Sequence, residues 1–334
     1  MYKVLVSDAL HENGLEILKG CSDLEVDVKV GLPVDELKKV IGNYDALAVR
    51  SATKVNDDLL RHAKNLKVIC RAGSGVDNID VDKATEHGVV VMNTPGGNNV
   101  TTAEHTMGLI LAIARLIPQA TKSIKDGLWD KKSFMGVELM DKTIGIIGLG
   151  NIGTNVAERA RGFKMNVIAY DPLLSKEVAL KKGVELVGLD ELFRRADFIT
   201  LHLPLTEKTR HTIGKDEFNK MKKGVFFVNC ARGGLVDEVA LLDALNSKKV
   251  AGAALDVFEK EPPSKDYPLL SHPKVICTPH IGASTGEAQE KVAIDCGRQL
   301  VDFLVKGIVS NAVNSPDGPR QGSVDAERMD CETR

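Results

Sequence analysis

No stretch of this chain is long and apolar enough to span a bilayer. Its first residues, Met1-Tyr-Lys-Val-Leu-Val-Ser7, enter a strand-like run at once and carry no secretion signal, so a cytoplasmic protein is expected. The six cysteines, at 21, 70, 230, 277, 296 and 331, show no CxxC pairing and no metal-ligand spacing with histidine. That pattern reads as reduced thiols, with neither a disulfide framework nor a metal site. An excess of charge is also missing, since 44 basic residues face 46 acidic ones for a net charge of −2. Nucleic acid and acidic membranes are therefore not expected partners. No internal repeat is evident. What remains is a hydrophobic share of 43% and a charged share of 27%, the balance of a soluble globular protein, over 334 residues, enough for two domains.

Gly148-Leu-Gly150-Asn-Ile-Gly153 sits in the middle of that length. A strand-length apolar run, Thr143-Ile-Gly-Ile-Ile147, precedes it, and Thr154-Asn-Val-Ala-Glu-Arg-Ala160 follows with helical spacing. Asp171 closes the next apolar run, Asn166–Tyr170, 18 residues beyond Gly153 (171 − 153). Strand, glycine turn, helix, strand and acid together make a dinucleotide fingerprint; a lone GxGxxG would not. Gly148 permits the tight turn, Gly150 the approach of a pyrophosphate, and Gly153 close helix–sheet packing. The helix N-terminus offers free N–H groups and a positive dipole to the phosphates. Asp171 suits ribose hydroxyls and repels a 2′-phosphate, which favours NAD over NADP.

Some 140 residues come before the fingerprint, enough for another domain. They alternate: strands at Lys3–Ser7, Leu24–Val30, Ala46–Val49, Val68–Cys70 and Val89–Asn93, with helices between at Asn13–Lys19, 33–41, Asp57–Ala63 and Val81–His87. Uninterrupted apolar strands in βα units imply a parallel sheet covered on both faces. Asn93-Thr-Pro-Gly-Gly-Asn-Asn99 is a break, and a long helix over Thr101–Leu116 ends before Pro118, with a second helical stretch to Asp126. Strands resume from Thr143 through Leu201, Val225–Asn229, Ala251–Leu255 and Val275–Cys277. The last helix, Thr285–Val305, has no strand after it. It is expected to return to the first domain, giving a discontinuous domain of 1–96 plus 283–314 around an inserted domain of 97–282. Residues 315–334 are rich in breakers and read as a disordered tail.

Oxidation of an alcohol by a nicotinamide needs a base, a group that tunes it, and a cation for the substrate's anionic end. Arg232 follows the strand-like run Val225–Ala231, Glu261 follows Ala253–Phe258, and His280 follows Val275–Pro279. Singly, each is more often a solvated loop residue or a structural hydrogen-bonder. Together they lie at three successive strand ends, where ligands of open α/β sheets bind. His suits the base, carboxylate the tuner, and the planar fork of Arg the carboxylate anchor.

Five segments carry a resemblance: Val49-Arg-Ser-Ala-Thr-Lys-Val55, Arg71-Ala-Gly-Ser-Gly-Val-Asp-Asn78, Asn229-Cys-Ala-Arg-Gly-Gly-Leu-Val-Asp-Glu238, Ala253-Ala-Leu-Asp-Val-Phe-Glu-Lys-Glu-Pro-Pro263 and Pro279-His-Ile-Gly-Ala-Ser-Thr285. In order, they resemble the D-2-hydroxyacid dehydrogenase family. Within it, the likeness is greatest to the branch that oxidises 3-phospho-D-glycerate to 3-phosphohydroxypyruvate, the entry to serine synthesis. The resemblance runs from about residue 3 to Asn314. It implies an α/β fold with a Rossmann-type doubly wound NAD domain inserted into a discontinuous flavodoxin-like substrate domain. Arg232, Glu261 and His280 would be the catalytic residues. NAD would be met by Ser74, Gly148, Gly150, Asn151, Ile152, Gly153, Asp171, Cys230, Ala231, Arg232, Asp256, His280, Gly282 and Ala283. Arg50 and Arg71 would hold the substrate phosphate, with Ser74, Gly75 and Arg232 also on the substrate. Where some relatives lend an arginine from the neighbouring subunit, this chain reads Asp130-Lys131-Lys132, so Lys131 is the expected substitute. His202-Leu-Pro204 departs from a more polar version in some relatives. The resemblance further implies domain closure over the substrate and a homodimer or homotetramer formed through the NAD domain, mainly its helix at 101–116. It also implies a short form without the regulatory domain that binds serine in longer members. Two alternatives stay open: a hydroxypyruvate or glyoxylate reductase, and a non-catalytic NAD-sensing corepressor-like protein.

Overall fold

The computed structural model describes residues 1–316. All but the first two residues of the expected tail therefore lie outside the described residues. The described residues form two compact units: Met1–Asn98 with residues 285–316, and Asn99–Ser284.

The first unit is built on strands β1 (Tyr2–Val6), β2 (Leu24–Val28), β3 (Ala46–Val49), β4 (Val68–Arg71) and β5 (Val90–Asn93), all parallel, in the order β2-β1-β3-β4-β5. This is the flavodoxin-like order, whose topological switch lies between β1 and β3. Alternate side chains bury on opposite faces, as strand geometry requires. Val4, Val6, Ala46, Ala48, Val68 and Cys70 meet Val292, Cys296, Leu300 and Leu304 of helix Gly286–Lys306. Leu5, Leu47, Val49, Ile69 and Val91 meet Leu37, Leu59, Leu60 and Ala84 on the other side. Thr285 caps the last helix by accepting from the Ala288 N–H, and left-handed Gly307 ends it. This helix is the last among the described residues, yet it shares one face of the first sheet with helix Glu12–Lys19. Truncating its fully buried Leu300 to Ala should cost about 2–5 kcal/mol.

The second unit holds β6 (Thr143–Ile147), β7 (Asn166–Tyr170), β8 (Glu185–Leu186), β9 (Phe198–Leu201), β10 (Val225–Asn229), β11 (Val250–Leu255) and β12 (Val275–Cys277). They form a parallel sheet ordered β12-β11-β10-β9-β6-β7-β8. Counted from β6, that order is 3-2-1-4-5-6 with one more strand at the far edge, a Rossmann-type sheet with its switch point between β6 and β9.

The long helix ends at Arg115, within a residue of the sequence reading and ahead of Pro118, and a second helix follows. Asn99–Arg115 and Ile117–Lys125 meet at 63°, with Leu116 left-handed at φ 55°. Pro118 sits inside the first turn of the second helix, where its missing N–H costs nothing. Of the first helix's apolar residues, Met107, Leu109, Ile110 and Ile113 are buried in this unit's own core, Leu111 is half-buried and Val100 is exposed. More exposed apolar residues lie beyond the bend: Ile117, Ile124, Leu128, Trp129 and Met135.

Candidate active site

The glycine turn links β6 to helix Asn151–Gly162. Gly148 has φ 95°, a left-handed conformation, and a Cβ there would come within 2.5 Å of the His202 carbonyl oxygen. A Cβ on Gly153 would lie 2.1 Å from the Gly148 carbonyl oxygen. Gly150 differs, because its Cβ would meet nothing within 4 Å. The protein's own packing does not require glycine at 150, whereas close approach of a diphosphate does. The helix begins with no side-chain cap and no acidic residue in its first turn, so its leading N–H groups suit an anion. Asp171, after β7, braces the turn. Its Oδ2 accepts from Leu149 N–H at 2.8 Å and its Oδ1 from Leu173 N–H at 2.9 Å. Each carboxylate oxygen keeps a second lone pair for a ribose hydroxyl. The residues present thus fit a dinucleotide: Gly148–Gly153 for the diphosphate, Asp171 for the ribose.

On the other side of the switch point, three adjacent strands carry the titrating groups. His280 Nδ1 and Glu261 Oε2 are 2.7 Å apart. The Phe258 N–H donates to the other Glu261 oxygen at 3.0 Å. The hydrogen bond to Glu261 raises the His280 pKa above its ordinary value. Burial opposes that rise, the charges of Glu261 and Asp256 support it, and Arg232 opposes it. Burial works to raise Glu261, but the bonds from His280 and Phe258 outweigh it and hold the carboxyl below its usual range. Arg232 acts on both members of the pair, so the three groups share one electrostatic site.

Backbone geometry sets each of these side chains. His280 itself is left-handed, φ 53°, a conformation histidine tolerates better than most residues. Asp256, at the end of β11 and fully buried, holds that turn. Its Oδ1 accepts from Thr278 O–H at 2.5 Å and Ile281 N–H at 2.9 Å, and its Oδ2 from Gly282 N–H at 2.8 Å. His105 Nε2 lies 3.2 Å from Oδ1, and the Asp256 carbonyl accepts the His280 N–H at 2.8 Å. Buried Asn229 shapes the Arg232 turn, donating to the Arg232 carbonyl at 2.8 Å and accepting from Ala231 N–H at 3.0 Å. Gly233 follows, and a Cβ there would fall 1.9 Å from the Phe258 carbonyl carbon. The Arg232 and Glu261 loops are therefore packed backbone to backbone.

Other expected cofactor positions are spread along the same unit. Asn151 is exposed, and Ile152 and Ala283 are half-buried. Cys230 is a core side chain whose thiol burial pushes up to about 12, so it is no nucleophile. Ala231 is buried, and Gly282 packs on Asp256. Exposed Lys131 places its Nζ 5.6 Å from the centre of the Trp129 ring.

In the first unit, Arg50 follows β3 at the switch point beside β1, and Arg71 ends neighbouring β4. Arg71 Nε donates to the Arg50 carbonyl at 3.1 Å. Arg50 Nη1 donates to the Ala9 carbonyl at 3.2 Å. Buried Asp8, just after β1, receives the N–H groups of Arg50, Ala52 and Thr53 and the Thr53 hydroxyl. The Gly73 backbone lies under the Arg71 guanidinium, where a Cβ would be 2.6 Å from Nη1. Ser74 donates to Asn98 Oδ1 at 2.6 Å, beside half-buried Gly75. Asp8, Asn229 and Glu238 were not anticipated as site residues. No local pattern marks an acid or amide that works by gathering backbone donors.

Residues 107–282 match the family model described as D-isomer specific 2-hydroxyacid dehydrogenase, NAD binding domain. The chain is similar to the D-3-phosphoglycerate dehydrogenase of Methanocaldococcus jannaschii, 54% identical over 322 residues, covering 96% of this chain and 61% of that protein. It is also similar to the enzyme of that name from Bacillus subtilis, 49% identical over 317 residues, covering 95% and 59%. The chain thus spans about three fifths of the length of these curated relatives. Among solved structures, a glyoxylate reductase from Paecilomyes thermophila superposes with a TM-score of 0.83 at 34% identity, covering 93% of this chain and 98% of that one. A D-lactate dehydrogenase from Aquifex aeolicus, complexed with NAD and lactic acid, gives 0.79 at 30% identity, again covering 93% and 98%. The NAD-binding fold, the glycine turn in its setting and these likenesses agree: the chain belongs to the D-isomer specific 2-hydroxyacid dehydrogenase family.

Proposed function

We propose that this protein oxidises 3-phospho-D-glycerate to 3-phosphohydroxypyruvate with NAD, the opening step of serine synthesis, in the cytoplasm. NAD, when bound, supplies the hydride acceptor. His280 Nδ1–H is held by Glu261, which leaves Nε2 as the basic nitrogen that takes the C2 hydroxyl proton. Glu261 stabilises the imidazolium so formed. Arg232 holds the substrate carboxylate with its planar fork. We assign the phosphate to Arg50 and Arg71, with Ser74 and Gly75 beside it and Lys131 as a further point charge. We also assign a homo-oligomer contact in the NAD-binding unit to the exposed apolar residues between Ile117 and Met135.

One observation carries the phosphorylated substrate over its simpler relatives. Two arginines stand on adjacent strand ends, Arg50 at the switch point of the first sheet and Arg71 one strand further on, joined by the bond from Arg71 to the Arg50 carbonyl. The relatives that share 47–54% identity and bear the phosphoglycerate dehydrogenase name support the same reading. The test is NADH formation with 3-phosphoglycerate, glycerate and lactate, for the parent and for Arg50→Ala and Arg71→Ala. Losing a charge-assisted contact worth about 1.5–3 kcal/mol should cut kcat/KM for the phosphorylated substrate roughly 10- to 100-fold. Turnover of glycerate should change little. Turnover of glycerate but not of 3-phosphoglycerate by the parent would overturn the substrate assignment.

A further inference from the structure

Glu238 is a buried carboxylate outside the groups used so far. It is the first residue of helix Glu238–Asn246, and only 9% of its surface is exposed. Burying a carboxylate is costly unless its lone pairs are filled. Glu238 fills them in a specific way. Its Oε1 accepts the N–H of Glu259 at 2.8 Å, and its Oε2 accepts the hydroxyl of Tyr267. Tyr267 in turn packs edge-on against Phe258, with ring centroids 6.4 Å apart.

The Glu259 amide is the one directly after the Phe258 amide, and the Phe258 N–H orients Glu261. One peptide step therefore separates the group Glu238 anchors from the group that aims Glu261 at His280. Glu238 also begins the helix that follows the Arg232 turn, so it ties both loops to one point. We propose that Glu238 is a positioning residue that fixes the Phe258–Glu261 turn and thereby the hydrogen bond from His280 to Glu261. The inference rests on the reading of His280 and Glu261 as the acid–base pair.

The groups facing Glu238 are Tyr267, Glu259, His211 and Cys277, with Arg210 paired to Glu259. Those facing His280 are Glu261, Asp256 and Arg232. None of the Glu238 set acts directly on His280, so a change at Glu238 reaches the imidazole through the turn.

The experiment titrates the His280 ring by NMR in the full chain with labelled histidine and no NAD. It compares the parent with Glu238→Ala, Glu238→Asp and Glu238→Gln. Asp keeps the charge but withdraws it by one methylene, out of reach of the Glu259 amide. Gln keeps an acceptor in place without the charge. The His280 midpoint should fall toward that of a free imidazole in the Ala and Asp variants and stay near the parent value in Gln. Turnover of the Ala and Asp variants should drop on the order of tenfold or more. If Glu238→Ala does not fold, Glu238→Asp decides. A parent-like midpoint in Glu238→Asp, or a fall in Gln as large as in Asp, overturns the proposal. The titration needs no substrate, so failure of the substrate assignment is read separately, as absent turnover by the parent.

Discussion

Replacing Asp256 with Ala removes the carboxylate that holds the His280 turn. The hydroxyl of Thr278 and the N–H groups of Ile281 and Gly282 lose their acceptor, and the Gly282 site is buried from water. Each buried donor left unsatisfied costs about 1–3 kcal/mol. Relief from burying the charge itself offsets part of that sum. Breaking one side of a buried, hydrogen-bonded charge typically leaves a net loss of about 3–5 kcal/mol. At roughly 2–4 °C per kcal/mol for a unit of this size, the melting temperature should fall by about 10 °C. The turn it releases carries a histidine at φ 53°, a conformation that relaxes when nothing enforces it. A shift of about 1 Å in a catalytic group is enough to cost roughly 100-fold in kcat. Acid stability gives a second reading. Burial works to raise the Asp256 pKa, but the bonds from His105, Thr278, Ile281 and Gly282 outweigh it and hold the value below ordinary. A depressed carboxylate adds stability that is present above its unfolded pKa and lost as pH falls through its lower folded value. Asp256→Asn should therefore weaken the protein at neutral pH and flatten its stability loss in acid. Thermal melts against pH, with steady-state rates on the same samples, measure all three effects. A variant that melts within about 2 °C of the parent and keeps its kcat would falsify the account.

Glu261→Gln removes the largest influence raising the His280 pKa, so the pH limb of alcohol oxidation should move to lower pH. Oxidation needs the neutral ring, so the parent gains rate as pH rises through the raised His280 value, and kcat should drop by about 10²-fold or more in the variant. A limb that stays in place in the kcat/KM profile would mean Glu261 does not tune His280. Gly153→Ala and Gly150→Ala should separate folding from binding. The first drives a Cβ to 2.1 Å from backbone and should lower the melting temperature, while the second meets no protein atom within 4 Å and should leave it nearly unchanged. Both should lose NADH binding by fluorescence titration, and a Gly150→Ala chain that binds normally contradicts the diphosphate assignment. Asp171→Ala frees the Leu149 N–H and removes the charge that opposes a 2′-phosphate. Its preference for NAD over NADP, read as the ratio of kcat/KM values, should shrink by tenfold or more, and an unchanged ratio would place the discrimination elsewhere.

The sheets were legible because parallel strands buried on both faces read as continuous apolar runs. Ala46–Val49 and Val275–Cys277 keep the same bounds in sequence and structure. Two-residue β8, Glu185–Leu186, carries too few residues for any period to show. The helix break was legible to within a residue because Pro118 marks it, although the left-handed turn at Leu116 that makes the 63° bend has no sequence signature. Of the site, strand-end position picked out Arg232, Glu261 and His280. The 2.7 Å contact between the last two depends on the turn at Glu261 and the φ of His280, which no spacing rule encodes.

Four acids, of which sequence reasoning named Asp171 and Asp256 for the cofactor and missed Asp8 and Glu238, share one physical role. Asp256 gathers the Ile281 and Gly282 amides beneath His280, and Glu238 takes the Glu259 amide beside Glu261. Asp171 takes Leu149 in the glycine turn, and Asp8 takes Arg50, Ala52 and Thr53 in the first unit. In every case a carboxylate accepts backbone N–H groups that the loop geometry leaves without partners. A functional loop cannot use sheet or helix bonds, because its backbone must turn away from the strand to aim a side chain. Its amides still need acceptors once they are buried. A carboxylate offers up to four lone-pair sites on one short side chain, so it fixes several amides from a single point. The loops that carry Arg50, Glu261 and His280 and the glycine turn thus draw rigidity from acids that accept their backbone amides. A substitution at such an acid should raise thermal instability and lower kcat together, while one at Arg232 should lower kcat and leave the melting temperature close to the parent's.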